Sequence, residues 1–179
     1  MQEISTIKCY PKALSHEQCV HIINQFELSP YKKQGHVGQG YTPDAKQSTD
    51  LGIDAKRDDI VLNNLLDYYH KYCDSYYFMN LIRNEVSIDA GYNIQRYDNG
   101  QGYFKWHCEH SRGNSLRVLA WMYYLNDAQC GTEWIHQKFR SKANEGDLYI
   151  WPSSWTHAHR GVTPNIGRKY IITGWCVYA

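Results

Sequence analysis

Three short segments carry side chains suited to holding a metal and a dicarboxylate that chelates it. In Trp106-His107-Cys108-Glu109-His110, one residue separates His107 from Glu109. Along an extended chain successive side chains alternate, so His107 and Glu109 share a face and Cys108 takes the other. An imidazole and a carboxylate on one face are two ligands of a 2-His-1-carboxylate triad. On Fe(II) such a triad leaves positions open for O2 and a chelating oxoacid. In Trp155-Thr156-His157-Ala158-His159-Arg160-Gly161 the third ligand is His157, His159 or both, since an extended segment puts the two on one face. Arg168-Lys169 opens the last β-prone run. A dicarboxylate co-substrate chelating the metal at one end needs a cation at the other, and a buried Lys or Arg with a hydroxyl neighbour supplies it. Each segment alone has a plainer reading: a solvated strand, a surface histidine pair, a basic strand edge. The order is more specific than any part: HxE, a long β-rich interval, a distal His, then a cation ten residues beyond His159.

Those residues need a scaffold of strands. From about Val86 short β-prone runs alternate with turn residues: VSIDAGYNIQRY, YFKWHCE, LRVLAWMYYLN, TEWIHQ, GDLYIWP and KYIITGWCVY. Many short strands with Gly, Asn, Asp and Pro between them predict a sandwich or barrel. Ahead of them Ser15 and Gln18 have capping-box spacing, and Cys19, Ile22, Ile23 and Phe26 repeat at helical spacing until Ser29-Pro30. A second helix is predicted between about Asp58 and Phe78, with Leu62, Leu65, Leu66, Tyr69, Cys73 and Tyr76 on one face. The polar stretch from Lys32 to Asp50 reads as a surface loop that closes over a site. The expectation is an α+β fold, mainly β, in one domain over 1–179. Residues 1–85 give helical support and loop, and 86–179 give a double-stranded β-helix (jelly-roll) core with the metal site.

Composition excludes several classes. A net charge of +1 gives no field to attract nucleic acid or a membrane surface. No apolar run approaches the roughly 20 residues a membrane-spanning helix needs. Six cysteines without CxxC spacing, behind a start (MQEISTIKCY) that lacks signal-peptide layout, predict free thiols in a soluble cytoplasmic protein.

The stretch from Tyr92 to Trp175 resembles the prolyl 4-hydroxylase-like branch of the Fe(II)/2-oxoglutarate dioxygenases. It looks closest to the small versions in phage and marine bacterial genomes. The matching text is RYDNGQGYFKWHCE, VLAWMYYLND followed by GTEW, GDLYIWPSSWTHAHRG and GRKYIITGW. The resemblance implies Fe(II), 2-oxoglutarate and O2 as cofactor and co-substrates, with His107, Glu109 and His159 as metal ligands and catalytic centre. Its His-to-Lys spacing selects His159 over His157, and Lys169 over Arg168 as partner of the distal 2-oxoglutarate carboxylate. Tyr97 matches a strand tyrosine that touches the co-substrate, and Thr173, four residues beyond Lys169, shares its face. Two departures stand out. Glu109 replaces the family's usual Asp and is one methylene longer, and Cys130 stands where a first glycine is common.

The resemblance further implies hydroxylation of an unactivated C–H bond, with a peptidyl, prolyl-like side chain as the leading substrate. A free amino acid or other small metabolite is the second reading, and a non-catalytic cupin-like binding module the third. His110, His157 and Arg160 are expected near the metal end, and Tyr103 with the 35–50 loop along a substrate groove. The six tryptophans read as core and rim packing. Oligomeric state leaves no mark on the sequence.

Overall fold

The computed structural model describes residues 5–38, 40–55 and 59–179. The first four residues of the MQEISTIKCY start and Asp58, the expected start of the second helix, lie outside them. In chain order the elements are β1 (Lys8–Tyr10), α1 (His16–Leu28), β2 (Lys33–Gln34), β3 (Thr49–Asp54), α2 (Ile60–Asp74) and α3 (Tyr77–Ile82). They continue with β4 (Val86–Tyr97), β5 (Arg117–Tyr124), β6 (Thr132–Trp134), β7 (Phe139–Arg140), β8 (Leu148–Pro152), β9 (His159–Gly161) and β10 (Lys169–Tyr178).

Among the described residues the strands form two antiparallel sheets, the jelly-roll arrangement the punctuated strand pattern predicts. The large sheet runs β1-β8-β5-β10-β4-β3-β2 and the small one β7-β6-β9. Strand alternation divides the core in two. Leu119, Trp121 and Tyr123 of β5, Leu148 and Ile150 of β8, and Ile172 and Cys176 of β10 pack beneath the helices with Cys19, Ile22, Phe26, Leu65, Tyr69 and Cys73. Their neighbours of opposite parity, Ala120, Met122, Tyr124, Tyr149, Trp151 and Ile171, pack between the sheets with Trp134. Because both faces are covered, β8 and β5 from Val118 onward run through consecutive apolar residues instead of alternating with polar ones.

α1 starts as its sequence dictates: the Ser15 side chain accepts from the Gln18 backbone, and the Gln18 side chain accepts from the Ser15 backbone. Glu27 ties this helix to the sheet, accepting from Arg96 on β4 (3.0 Å) and from the Tyr170 hydroxyl on β10 (2.6 Å).

Three readings need correction. The second helix breaks at Ser75–Tyr76 into α2 and α3, and Leu66 faces solvent while Val61 and Tyr72 are buried. The Lys32–Asp50 stretch is not all surface loop: it supplies β2 and the start of β3, which pairs with β4 along its whole length. The segment around His107 and Glu109 is not a strand; an isolated bridge joins His107 to His159. Among the described residues no helix is long and apolar enough to cross a membrane.

Candidate active site

Two backbone hydrogen bonds, His107 N–H to His159 O (3.0 Å) and His159 N–H to His107 O (2.8 Å), set the two imidazoles side by side. Glu109 is brought in by the turn after β8, where the Ser153 carbonyl accepts from the Glu109 and His110 amides (3.0 and 2.9 Å). Glu109 Oε1 lies 3.4 Å from His107 Nε2 and 3.5 Å from His159 Nε2. One ligand atom from each of the three residues falls within 4.8 Å of the others, a cluster able to hold a metal ion.

The tautomers follow from the surroundings. His107 Nδ1 faces the Lys105 carbonyl at 3.1 Å and His159 Nδ1 faces the His157 carbonyl at 2.9 Å. A carbonyl only accepts, so each Nδ1 carries the proton and each Nε2 keeps a lone pair for a metal. Burial, then the neighbouring His159, holds His107 below the ordinary histidine range and therefore neutral near pH 7. Burial alone would raise the Glu109 carboxyl, but the hydrogen bonds and charge that the two imidazoles offer it once protonated hold it well below the usual carboxylate range. Trp151 packs its ring edge-on to His159 (centroids 5.1 Å apart), and Tyr103 stacks on His107 at 3.7 Å.

The cluster opens into a cavity of about 840 Å³ that Tyr97, Lys169 and Thr173 also line. Alternation along β10 turns Lys169 inward and Arg168 out, where Arg168 meets Asp98 at 2.8 Å. Lys169 is 2% exposed and donates to the Val162 carbonyl at 2.8 Å. Among the described residues it faces no carboxylate, and burial lowers its pKa to about 8. A buried ammonium bonded only to carbonyls is a site for an anionic group. The Tyr97 hydroxyl donates to Gln95 Oε1 (2.7 Å) and the Thr173 hydroxyl to the Trp121 carbonyl (3.3 Å). His157 stays outside the cluster; its ring nitrogens meet Thr6 (2.7 Å) and Thr156 (2.9 Å).

Residues 92–177, a span containing every residue of this cluster and Lys169, match the 2OG-Fe(II) oxygenase superfamily. The match covers just under half of the chain and supports the resemblance to a 2-oxoglutarate oxygenase. Comparison with curated protein sequences gives no match. Among solved structures, the viral collagen prolyl hydroxylase of Paramecium Bursaria Chlorella virus-1, in its 2OG complex, is 16% identical over 98% of this chain and 97% of its own, with a TM-score of 0.74. A prolyl hydroxylase of Trichoplax adhaerens, in complex with a hypoxia inducible factor oxygen degradation domain peptide fragment, is 15% identical over 97% of this chain and 84% of its own, with a TM-score of 0.71. A Pseudomonas putida prolyl-4-hydroxylase gives 14%, 97%, 93% and 0.64. At these identities the likeness is one of fold. The oxygenase is thus an Fe(II)- and 2-oxoglutarate-dependent dioxygenase on a prolyl 4-hydroxylase-like frame, and the binding-module reading falls away.

Several features of the oxygenase's cavity escaped the sequence reading. Lys46, 3% exposed, pairs with Asp50 at 2.6 Å inside it. The period-two spacing of Lys46, Ser48 and Asp50 was the available signal for an inward-facing edge. Trp175, read as packing, lines the cavity and donates its indole N–H to Glu109 Oε2 at 2.8 Å. Trp121, Trp134 and Trp151 are core residues as expected, whereas Trp155 is exposed.

Proposed function

We propose that this oxygenase hydroxylates an unactivated C–H bond on a peptidyl, prolyl-like side chain, using Fe(II) held by His107, Glu109 and His159. Lys169 holds the C5 carboxylate of 2-oxoglutarate. The observation that carries the reading is one cavity lined both by the His-Glu-His cluster and by a buried lysine that has no carboxylate partner among the described residues. When bound, Fe(II) and 2-oxoglutarate supply the power to activate O2 toward a C–H bond.

The chain's own groups do the positioning. The Nδ1–H bonds to Lys105 and His157 fix both rings with Nε2 toward the metal. Lys169 neutralises the distal carboxylate in a site closed to solvent, and the Thr173 hydroxyl lies two strand steps along the same face. Tyr97 turns its O–H from Gln95 to the oxoacid. Peptide as the substrate class draws on the peptide complex of the Trichoplax relative. The polar cavity wall, with Gln34, Asn93, Gln95 and Asn114, supplies donors and acceptors for main-chain groups.

Anaerobic protein loaded with Fe(II) and 2-oxoglutarate is expected to show a weak visible metal-to-ligand charge-transfer band. Succinate release is then expected with proline-containing peptides and not with free proline. A folded, iron-loaded sample without the band rejects the metal and co-substrate assignment. Turnover of free amino acids in place of peptides rejects the substrate class alone.

A further inference from the structure

Glu109 is a longer carboxylate than the Asp common at this position in the family, and only one of its oxygens faces the imidazoles. The other, Oε2, accepts from the Trp175 indole N–H at 2.8 Å and from Arg117 Nη1 at 3.3 Å. The Arg117 guanidinium carbon lies over the Trp175 ring, 3.5 Å from its centroid, so the two donors brace each other.

Arg117 reaches this position through a break in strand register. On β5, Leu119, Trp121 and Tyr123 face the helices, and simple alternation would send Arg117 the same way. Between β10 and β5 the pairing steps from Cys176↔Leu119 to Val177↔Arg117, which skips Val118. Val118 packs toward the helix layer, and the bulge turns Arg117 into the cavity, re-aiming a side chain at a functional site. Opposite Trp175 the β10–β4 ladder is irregular as well, passing from Gly174↔Tyr92 to Cys176↔Ile88.

We propose that Arg117 and Trp175 are positioning residues that reserve Oε2 of Glu109, keeping this longer carboxylate a one-oxygen ligand through Oε1. The proposal rests on the metal-ligand reading of His107, Glu109 and His159. A glutamate has the reach to close on a metal with both oxygens. It would then take a position that a two-point oxoacid and O2 both require. Two donors on Oε2, one of them charged, oppose that closure.

The test is Trp175→Phe, which keeps an aromatic ring for Arg117 and removes the N–H. Titrating anaerobic Fe(II)-loaded protein with 2-oxoglutarate should show binding weakened about 10- to 100-fold, the scale of one hydrogen bond to a charged group. Fe(II) affinity by chelator competition should be unchanged or tighter. The Co(II)-substituted variant without 2-oxoglutarate should show altered d–d absorption. Arg117→Met should shift 2-oxoglutarate binding in the same direction by less, since its contact is longer. In a Glu109→Asp background the shorter carboxylate no longer reaches the indole, and adding Trp175→Phe should change 2-oxoglutarate binding by less than about 2-fold, as expected of uncoupled sites. An equal loss in both backgrounds, or an unchanged Co(II) spectrum, would overturn the proposal. Wild-type protein without the Fe(II)–2-oxoglutarate band would instead remove the ligand reading beneath it.

Discussion

Burying the Lys169 ammonium among carbonyl groups costs stability that a neutral side chain would not. With its pKa lowered to about 8 by burial, the cost is complete below about pH 8. It fades as pH rises toward the ordinary lysine value, because the native state releases the proton before the unfolded chain does. Lys169→Met should therefore leave the melting temperature at pH 7 unchanged or higher. It should also weaken 2-oxoglutarate binding by roughly 100-fold or more, the usual result of removing one partner of a buried pair. Wild-type affinity for 2-oxoglutarate should fall as pH passes about 8. Titration calorimetry with scanning fluorimetry checks both halves, and a variant that melts early and binds normally would contradict both. That only one of Arg168 and Lys169 turns inward was legible, because alternation along a strand sends neighbours to opposite sides; which of the two it is came from the His-to-Lys spacing of the resemblance. Arg117 was not: the bulge that turns it inward depends on pairing between strands distant in sequence. Trp175 was hidden for a related reason, since its partner carboxylate lies 66 residues away.

Among the elements β10 carries the most. Its inward face presents Lys169, Ile171, Thr173 and Trp175, while its outward face lies beneath the helices. Gly174 sits where a methyl group would run into the Trp121 indole, a fully buried side chain. Gly174→Ala should destabilise the fold by about 1–3 kcal/mol. Thermal unfolding should record a drop of several degrees, with weaker 2-oxoglutarate binding alongside because Thr173 and Trp175 flank the strained position. An unchanged melting temperature would mean that Trp121 can retreat. The long strands were readable from β-prone runs bounded by turn residues. The HxE segment was misread as a strand although its His107 and Glu109 side chains do converge, because the His107–His159 bridge replaces a continuous ladder.

Across the whole molecule, the helix layer is tied to the sheet by Glu27. Burial raises its carboxyl, but the Tyr170 hydroxyl and Arg96 outweigh this and hold its pKa below the usual range. A carboxyl lowered in the folded state contributes stability above its ordinary pKa, and that stability is lost as pH falls through the folded value. Glu27→Gln should melt below wild type at pH 7, with the two melting curves converging as the medium is taken well below pH 4.5. A gap that persisted in acid would show that packing, not charge, holds α1 down. The helix layer itself was legible in its capping box and apolar face. Its junction with the sheet was not, because Glu27, Arg96 and Tyr170 carry no local pattern.

The contact between Thr6 and the His157 ring (2.7 Å) has a reach beyond packing. The His157 carbonyl holds the His159 ring, and Ile7 next to Thr6 packs in the inter-sheet core. Thr6 is thereby two contacts from the proposed metal ligand His159, although β1 beside it is an edge strand and looks dispensable. Removing Thr6, or crowding it with a fused segment, is therefore expected to disturb the rings of His157 and His159.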